Sequence, residues 1–265
     1  MISNLADIHP DAKIGQNVTI DSFAVIQKDV SIGDNSHIMS HAIIMQSTLI
    51  GKNCTIFPGA VIGAIPQDLK FDGEQTSVEI GDFTTIRECV TVNRGTKDKW
   101  KTVIGANCLL MAYTHVAHDC ILGDHVILAN SVQLAGHVEV GDYAILGGLA
   151  AAIQFARIGP HTYIAGHTEI RKDVPPYVKA ARDPLCYVGI NSVGLQRRGF
   201  STEKINNILD IYRNMFNKGM NISQALEYVE NEVPASAEKT EILDFTRTSK
   251  KGIIKNYSKG TSDED

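Results

Sequence analysis

His118, Gly136 and Gln154 stand eighteen residues apart, and His115, Asp119 and His137 lie close beside them. They supply an imidazole that can take a proton, a backbone N–H with no side chain in its way, and a carboxamide that can orient a substrate. Those are the parts acyl transfer needs: a general base, an oxyanion donor and a positioning group. Asp119 follows His118 directly, where a carboxylate can hold the ring's tautomer and orientation. A single surface histidine on a regular scaffold is more often inert, but three on neighbouring turns point to function. Cys120 would be a nucleophile beside His118, yet its place in the repeat described next turns it inward, so it is assigned to the core. Zinc needs three or four donors converging at about 2 Å. His115, His118 and His137 could supply three, but this is the weaker reading, and no metal is expected. The chain has no G-x-S-x-G, Walker or G-x-G-x-x-G loop and no C-x-x-C pair. The common serine-hydrolase, phosphate-loop and dinucleotide signatures are therefore excluded.

A repeat of six places these residues in line. Ile, Leu or Val fills every sixth position in one phase from Ile8 to Ile170, in 24 of 28 slots. Three of the four exceptions (Asp68, Glu74, Asp98) fall in two polar stretches, so the phase survives its interruptions. No helix or simple strand has this period, which belongs to the parallel β-helix. Counting the aliphatic as position one, position five is small or β-branched, as at Val18, Ala24, Val30, Cys108, Thr114 and Cys120. It precedes the next aliphatic by two residues, so both side chains face the coil interior. Three sides of six residues make an eighteen-residue coil, stacked about 4.8 Å from the next. His118, Gly136 and Gln154 all occupy position three and should stack along one edge. Position two is often glycine (Gly15, Gly33, Gly51, Gly105), where a corner with positive φ is expected.

The 265 residues are 43% hydrophobic and 21% charged, enough for a substantial core in one or two domains. A net charge of −5 argues against general nucleic-acid binding. Five cysteines, three of them (Cys54, Cys108, Cys120) at the inward small position, suit a reduced cytoplasmic protein. MISNLADIHP does not read as a secretory leader, and no apolar run of about 18 residues predicts a membrane span. The Asn-x-Ser/Thr triplets at Asn17, Asn53 and Asn221 are read as chance.

The solenoid is interrupted twice, at Pro66–Val78, which holds Asp68 and Lys70, and at Lys97–Lys101, which holds the sole tryptophan, Trp100. Long loops on a rigid repeat scaffold are usually functional. Asp173-Val-Pro-Pro-Tyr is expected to end the repeat, because prolines cannot sit in a central ladder. An irregular connector over 176–200 should follow. From Ser201 the period becomes helical (Ile205, Ile208, Leu209, Tyr212, Met215, Phe216), with Ser201 as N-cap and Gly219 as stop. Further helices are expected over about 223–232 and 237–248. The chain thus divides into a β-helical domain with its connector, 1–190, and a helical domain, 191–265. Arg247, Lys250, Lys251, Lys255 and Lys259 form an acid-free basic stretch before Asp263-Glu264-Asp265. A solvated terminus and a docking surface fit it equally well.

The motifs I-G-A-I-P-Q-D-L-K (62–70), R-G-T (94–96), H-V-A-H-D-C (115–120), L-A-G-H (134–137), Q-F (154–155), D-V-P-P-Y-V (173–178) and G-L-Q-R-R-G-F (194–200) span nearly the whole chain. In them the chain resembles the bacterial acyl-[acyl-carrier-protein]–UDP-N-acetylglucosamine O-acyltransferases. The resemblance implies a mainly β fold, a left-handed parallel β-helix followed by a small α-helical domain. It implies a cytoplasmic homotrimer of a Gram-negative bacterium, without cofactor, acting on UDP-N-acetylglucosamine and a 3-hydroxyacyl-acyl-carrier protein. By the same resemblance His118 is the general base, Asp119 its partner and the Gly136 N–H the oxyanion donor. Asp68, Lys70, His137 and Gln154 match sugar-contacting positions, and His115, Asn191, Arg197 and Arg198 match positions that hold the UDP half. Gly166 falls where acyl length is measured, and a glycine there implies a long chain. Three residues depart from the family pattern: Asn93, a substrate-binding position, replaces a histidine, Ile153 replaces another, and Val193 replaces a glutamate. These departures would also fit a 3-amino sugar acceptor. The related N-acyltransferase carries an additional N-terminal domain, whereas repeats here begin by Ile8. A zinc-dependent hexapeptide hydratase is the reading from another class.

Overall fold

The computed structural model describes residues 1–217 and 219–256. Twenty-seven short strands, from β1 (Asp7–Ile8) to β27 (Cys186–Ile190), form three sheets of nine, eight and ten strands. In the regular coils each strand pairs in parallel with the strand one turn later, as in Asp7↔Val25, Lys13↔Ser31 and Thr19↔His37. The result is a left-handed β-helix whose three faces are the three sheets. Ile20, Ile26, Ile38 and Leu110 fill its axis beside small position-five residues such as Ala24, Ala42 and Val90, all essentially inaccessible. Each buried aliphatic side chain contributes about 1.5–3 kcal/mol, and parallel pairing supplies the backbone bonds that the buried strands require.

The corners correct one expectation. Positive φ recurs at position four of the hexad and not, save at Gly63 (89°), at position two: Asn17 is at 56°, Asp119 at 59°, His137 at 63° and Tyr143 at 58°. Asn, Asp and His tolerate this left-handed conformation best. Position-two glycines answer a different constraint, the closeness of stacked coils. A Cβ on Gly33 would lie 2.6 Å from the Gly51 carbonyl carbon, and one on Gly105 would lie 2.4 Å from the Gly123 oxygen.

Both interruptions leave the helix at the same edge, between the nine- and eight-stranded faces. One joins β10 (Val61–Ala64) to β11 (Ser77–Ile80), and the other joins β13 (Thr91–Asn93) to β14 (Lys101–Ile104). Thr48 pairs with Val78, and Val78 with Thr102, steps of thirty and twenty-four residues rather than eighteen. The insertions are whole hexads, which is why the inward phase is kept. The next three turns of that edge hold His118, Gly136 and Gln154.

The repeat continues beyond Asp173. Val174 still bridges Ile158, and Pro176 packs against Gly159, 2.5 Å from where a Cβ would sit. The prolines occupy corners rather than the ladder. The expected irregular connector contains β26 (Val178–Ala181), parallel to β24 (Tyr163–Ile164), then antiparallel β27 and the short helix α1 (Ser192–Arg197). Three longer helices follow, α2 (Thr202–Asn217), α3 (Ile222–Glu232) and α4 (Ala237–Arg247). Ser201 Oγ accepts from Lys204 N–H, and Gly219 beyond α2 has φ +68°. α3 begins slightly earlier than expected, because Asn221 and Gln224 form a reciprocal capping box. Fully buried Tyr212 on α2 donates its hydroxyl to the Pro176 carbonyl at 2.6 Å, anchoring the helices to the last coil. Among the described residues no helix is long and apolar enough to cross a membrane. Lys259 and Asp263–Asp265 lie outside the described residues.

Candidate active site

His118 and Asp119 occupy positions three and four of the corner after β16 (His115–Val116). The His118 ring is 5% exposed, and its Nδ1 lies 2.8 Å from Asp119 Oδ2. The fully buried Asp119 accepts three further bonds from the second insertion and donates one to the core wall. Thr96 N–H (2.9 Å) and Lys99 N–H (3.2 Å) donate to Oδ1, and the Thr96 hydroxyl (2.7 Å) donates to Oδ2. Its own N–H donates to Thr102 Oγ1 at 2.9 Å. Burial pushes the Asp119 carboxyl up, but the bonds from His118 and Thr96 outweigh it and hold it below the ordinary carboxylate range. A carboxylate so fixed orients Nδ1 and leaves Nε2 to face outward chemistry. Cys120 is inward, with Sγ 3.2 Å from the Ala135 oxygen and its thiol pushed up to about 12 by burial. That environment makes it a core residue.

Gly136, one coil above, lies against the His118 ring: a Cβ there would be 2.6 Å from both Cε1 and Nε2. The His118 carbonyl accepts His137 N–H at 3.0 Å, and the Gly136 carbonyl accepts Phe155 N–H at 3.1 Å. For the Gly136 N–H there is no hydrogen-bond partner among the described residues. His137 meets His118 edge-on, with centroids 5.0 Å apart, and stacks on Phe155 at 4.3 Å. Its Nδ1 is 3.1 Å from Asp98 Oδ2 but lacks hydrogen-bonding geometry and stands unpartnered. Burial holds this imidazole below its ordinary pKa. One ligand atom from each of His118, Asp119 and His137 falls within 4.8 Å of the others, the spacing of a metal site. Both Asp119 oxygens, however, already accept protein donors, which describes a hydrogen-bonded dyad better than an open ligand set.

The other expected residues are distributed over the three edges. His115, on the nine-stranded face, contacts Thr91 Oγ1 through Nδ1 at 2.7 Å. Asn93 is buried, its Nδ2 donating to the Ile65 carbonyl at 3.1 Å while Oδ1 has no partner. Asp68 and Lys70 lie in the first insertion on the His118 edge, where Lys70 N–H donates to Asp68 Oδ1 at 3.0 Å. Gln154 is exposed on that edge. Asn191 and Arg198 instead sit at the edge between the eight- and ten-stranded faces. Asn191 caps α1 and donates to the His161 carbonyl at 2.9 Å, and Arg198 donates to the Tyr143 carbonyl at 2.9 Å. Exposed Arg197 is beside it. Gly166 is on the third edge, between the ten- and nine-stranded faces, so a single chain does not bring these three groups together.

Sequence reasoning passed over several contributors. Phe155 is one, beside the expected Asp119 and His137: adding eighteen to Asp119 gives His137 and then Phe155, a second stacked column that the repeat alone reveals. The roles of Thr96, Lys99 and Thr102 in holding Asp119 depend on how the second insertion folds back, and no spacing signals that. Arg94, next to Asn93, is 4% exposed, and its Nε has no partner.

A family model described as UDP N-acetylglucosamine O-acyltransferase, domain 2, matches residues 173–254. Bacterial transferase hexapeptide repeats match 11–46, 29–64 and 101–136. The acyl-[acyl-carrier-protein]–UDP-N-acetylglucosamine O-acyltransferase of Herminiimonas arsenicoxydans is 44% identical over 260 residues, covering 96% of this chain and 99% of that protein. The crystal structure of a UDP-N-acetylglucosamine acyltransferase from Bacteroides fragilis is 52% identical, with a TM-score of 0.95, covering 96% of this chain and all (100%) of that one. That of the Francisella novicida UDP-N-acetylglucosamine acyltransferase is 38% identical, with a TM-score of 0.95, covering 100% of this chain and 97% of that one. By these likenesses the chain belongs to the acyl-[acyl-carrier-protein]–UDP-N-acetylglucosamine O-acyltransferase family.

Proposed function

We propose that this chain transfers a long-chain (R)-3-hydroxyacyl group from acyl-carrier protein to the glucosamine 3-hydroxyl of UDP-N-acetylglucosamine, the first step of lipid A biosynthesis, in the cytoplasm of a Gram-negative bacterium. His118 Nε2 removes the hydroxyl proton as the oxygen attacks the thioester carbonyl carbon. The Gly136 N–H donates to the tetrahedral oxyanion. Collapse breaks the C–S bond, and the departing thiolate takes the proton back from His118. The thiol's ordinary pKa near 8.5 makes it a good leaving group. Asp119 keeps the imidazole in the right tautomer throughout, and no covalent enzyme intermediate forms. His137, Gln154, Asp68 and Lys70 contact the sugar, and Asn93, His115, Asn191, Arg197 and Arg198 serve the nucleotide side.

One observation carries the reading: a buried His118–Asp119 dyad, clamped by Thr96, faces an unbonded Gly136 N–H. A homotrimer is part of the proposal. His118, Arg198 and Gly166 stand on three different edges of a triangular prism, so their convergence on one substrate requires edges of neighbouring protomers. The bare Gly166 leaves an acyl groove open for a long chain.

The test offers UDP-N-acetylglucosamine with a panel of 3-hydroxyacyl carriers and weighs the product. A product heavier by one hydroxyacyl group is expected, together with a loss of at least about 10²-fold in His118→Ala. Turnover by that variant at the wild-type rate would overturn the assignment of the base.

A further inference from the structure

The edges of this prism differ in how they treat the backbone N–H at position three. On the edge between the eight- and ten-stranded faces, four such N–H groups are capped by the aspartate at position three of the next coil. Gln16 N–H donates to Asp34 at 2.8 Å, Lys52 N–H to Asp82 at 2.6 Å, Ala106 N–H to Asp124 at 2.7 Å and Asp124 N–H to Asp142 at 2.8 Å. The corner N–H therefore points along the stack, toward the side chain one coil on. A carboxylate there closes the bond within the fold.

On the His118 edge the same step leads from Gly136 to Gln154. Gly136 is buried, and its N–H has no partner among the described residues, whereas Gln154 is exposed and does not turn back on it. A buried N–H left open is costly and uncommon. The repeat has a ready means of closing it, used four times on the neighbouring edge. Glutamine is one methylene longer than aspartate, and where a glutamine does cap a position-three N–H on this edge, Gln27 to Gln46 N–H at 3.2 Å, it reaches from the coil before and not from the coil after.

We propose that Gln154 is a positioning residue that keeps the Gly136 N–H uncapped, so that the donor stays free for the oxyanion. The inference rests on the proposed reading of Gly136 and adds the residue that decides whether its donor is available. It predicts that a short acceptor at 154 silences the enzyme through the fold's own capping bond. Aspartate is compatible with the corner, since the fold already carries it at that place four times.

The experiment compares Gln154→Asp, Gln154→Asn and Gln154→Ala by crystal structure and steady-state kinetics. The asparagine separates capping from charge repulsion, and the alanine removes the amide's substrate contact without adding a cap. In both short variants an Oδ1 within hydrogen-bonding distance of Gly136 N is expected. Their kcat should fall about 10²–10³-fold below that of Gln154→Ala, the loss typical of one oxyanion donor. The alanine variant should lose mainly in KM for the nucleotide sugar. Absence of the new bond in both short variants overturns the inference. A bond that forms while kcat matches that of Gln154→Ala would instead overturn the oxyanion role of Gly136.

Discussion

Gly136→Ala probes the dyad through geometry alone. The new Cβ would sit 2.6 Å from His118 Cε1 and Nε2 and 3.2 Å from Nδ1. Carbon atoms in contact settle at about 3.5–4.0 Å, so the ring must retreat by about 1 Å. The displacement acts on the 2.8 Å bond to Asp119 and takes it toward the limit of about 3.5 Å beyond which a hydrogen bond is lost. Asp119 cannot follow, because Thr96 and Lys99 hold both its oxygens. A reacting group misplaced by about 1 Å costs on the order of 10²-fold, and losing the base outright costs up to about 10⁴-fold. The expected fall in kcat is therefore about 10²–10⁴-fold, or roughly 2.7–5.4 kcal/mol on the barrier. The backbone at Gly136 is outside the left-handed region, so alanine strains the packing and not φ, at a stability cost of about 1–3 kcal/mol. Steady-state turnover with UDP-N-acetylglucosamine and a 3-hydroxyacyl carrier, alongside a thermal melt, separates the two effects. Turnover within about threefold of wild type would refute the claim that the glycine's bareness sets the ring's position.

Thr96→Val removes the 2.7 Å hydroxyl bond to Asp119 and should destabilise the protein by about 1–3 kcal/mol. Asp119 has a depressed folded pKa, so its stabilisation is present above the ordinary carboxylate pKa and is lost as pH falls through the folded value; acid unfolding of Thr96→Val should therefore begin at higher pH than wild type, as circular dichroism would record. Burial, aided by the Arg198 charge, lowers His161 from 6.5 to about 4. Its neutral form is the stabilising one, so this contribution is complete above about 6.5 and is lost between 6.5 and about 4; melting temperatures of His161→Gln should depend less steeply on pH in that window. Reversing Lys250 and Lys251 to Glu should raise the apparent KM for acyl carrier and leave that for the nucleotide sugar unchanged, since an acidic carrier would dock on the basic stretch.

The architecture was legible because each coil repeats one physical constraint: one large and one small side chain per face. That constraint located the column His118, Gly136 and Gln154 before any coordinates. It failed where the repeat is broken. Arg94–Trp100 carries no hexad, yet its Thr96 and Lys99 amides fix Asp119. The corner glycines misled for a related reason, since glycine answers both a positive φ and a crowded neighbour, and the letter alone does not say which. Asp173-Val-Pro-Pro-Tyr misled because prolines at a corner and prolines that end a ladder look alike until the coil is closed. Asp68 and Asn191 had no phase in common with His118, and Gly166 shares its hexad position but stands 48 residues on, not a multiple of eighteen; the structure places Asn191 and Gly166 on other edges of the prism.

That separation makes the trimer testable without measuring mass. If each site combines the His118 edge of one protomer with the Arg198 edge of another, His118→Ala and Arg198→Ala disable opposite halves of a site. Each homotrimer alone should be nearly inactive at nucleotide-sugar concentrations well below KM. In mixed trimers assembled from equal amounts of the two variants, a site works only when its His118 comes from the Arg198→Ala chain and its Arg198 from the His118→Ala chain. Random assembly gives that pairing at roughly one site in four, so the mixture should recover about a quarter of wild-type activity. If both residues served one site from the same chain, no mixture could contain an intact site. Activity of the co-assembled sample would then equal the mean of the two variants, and the inter-protomer site would have to be abandoned.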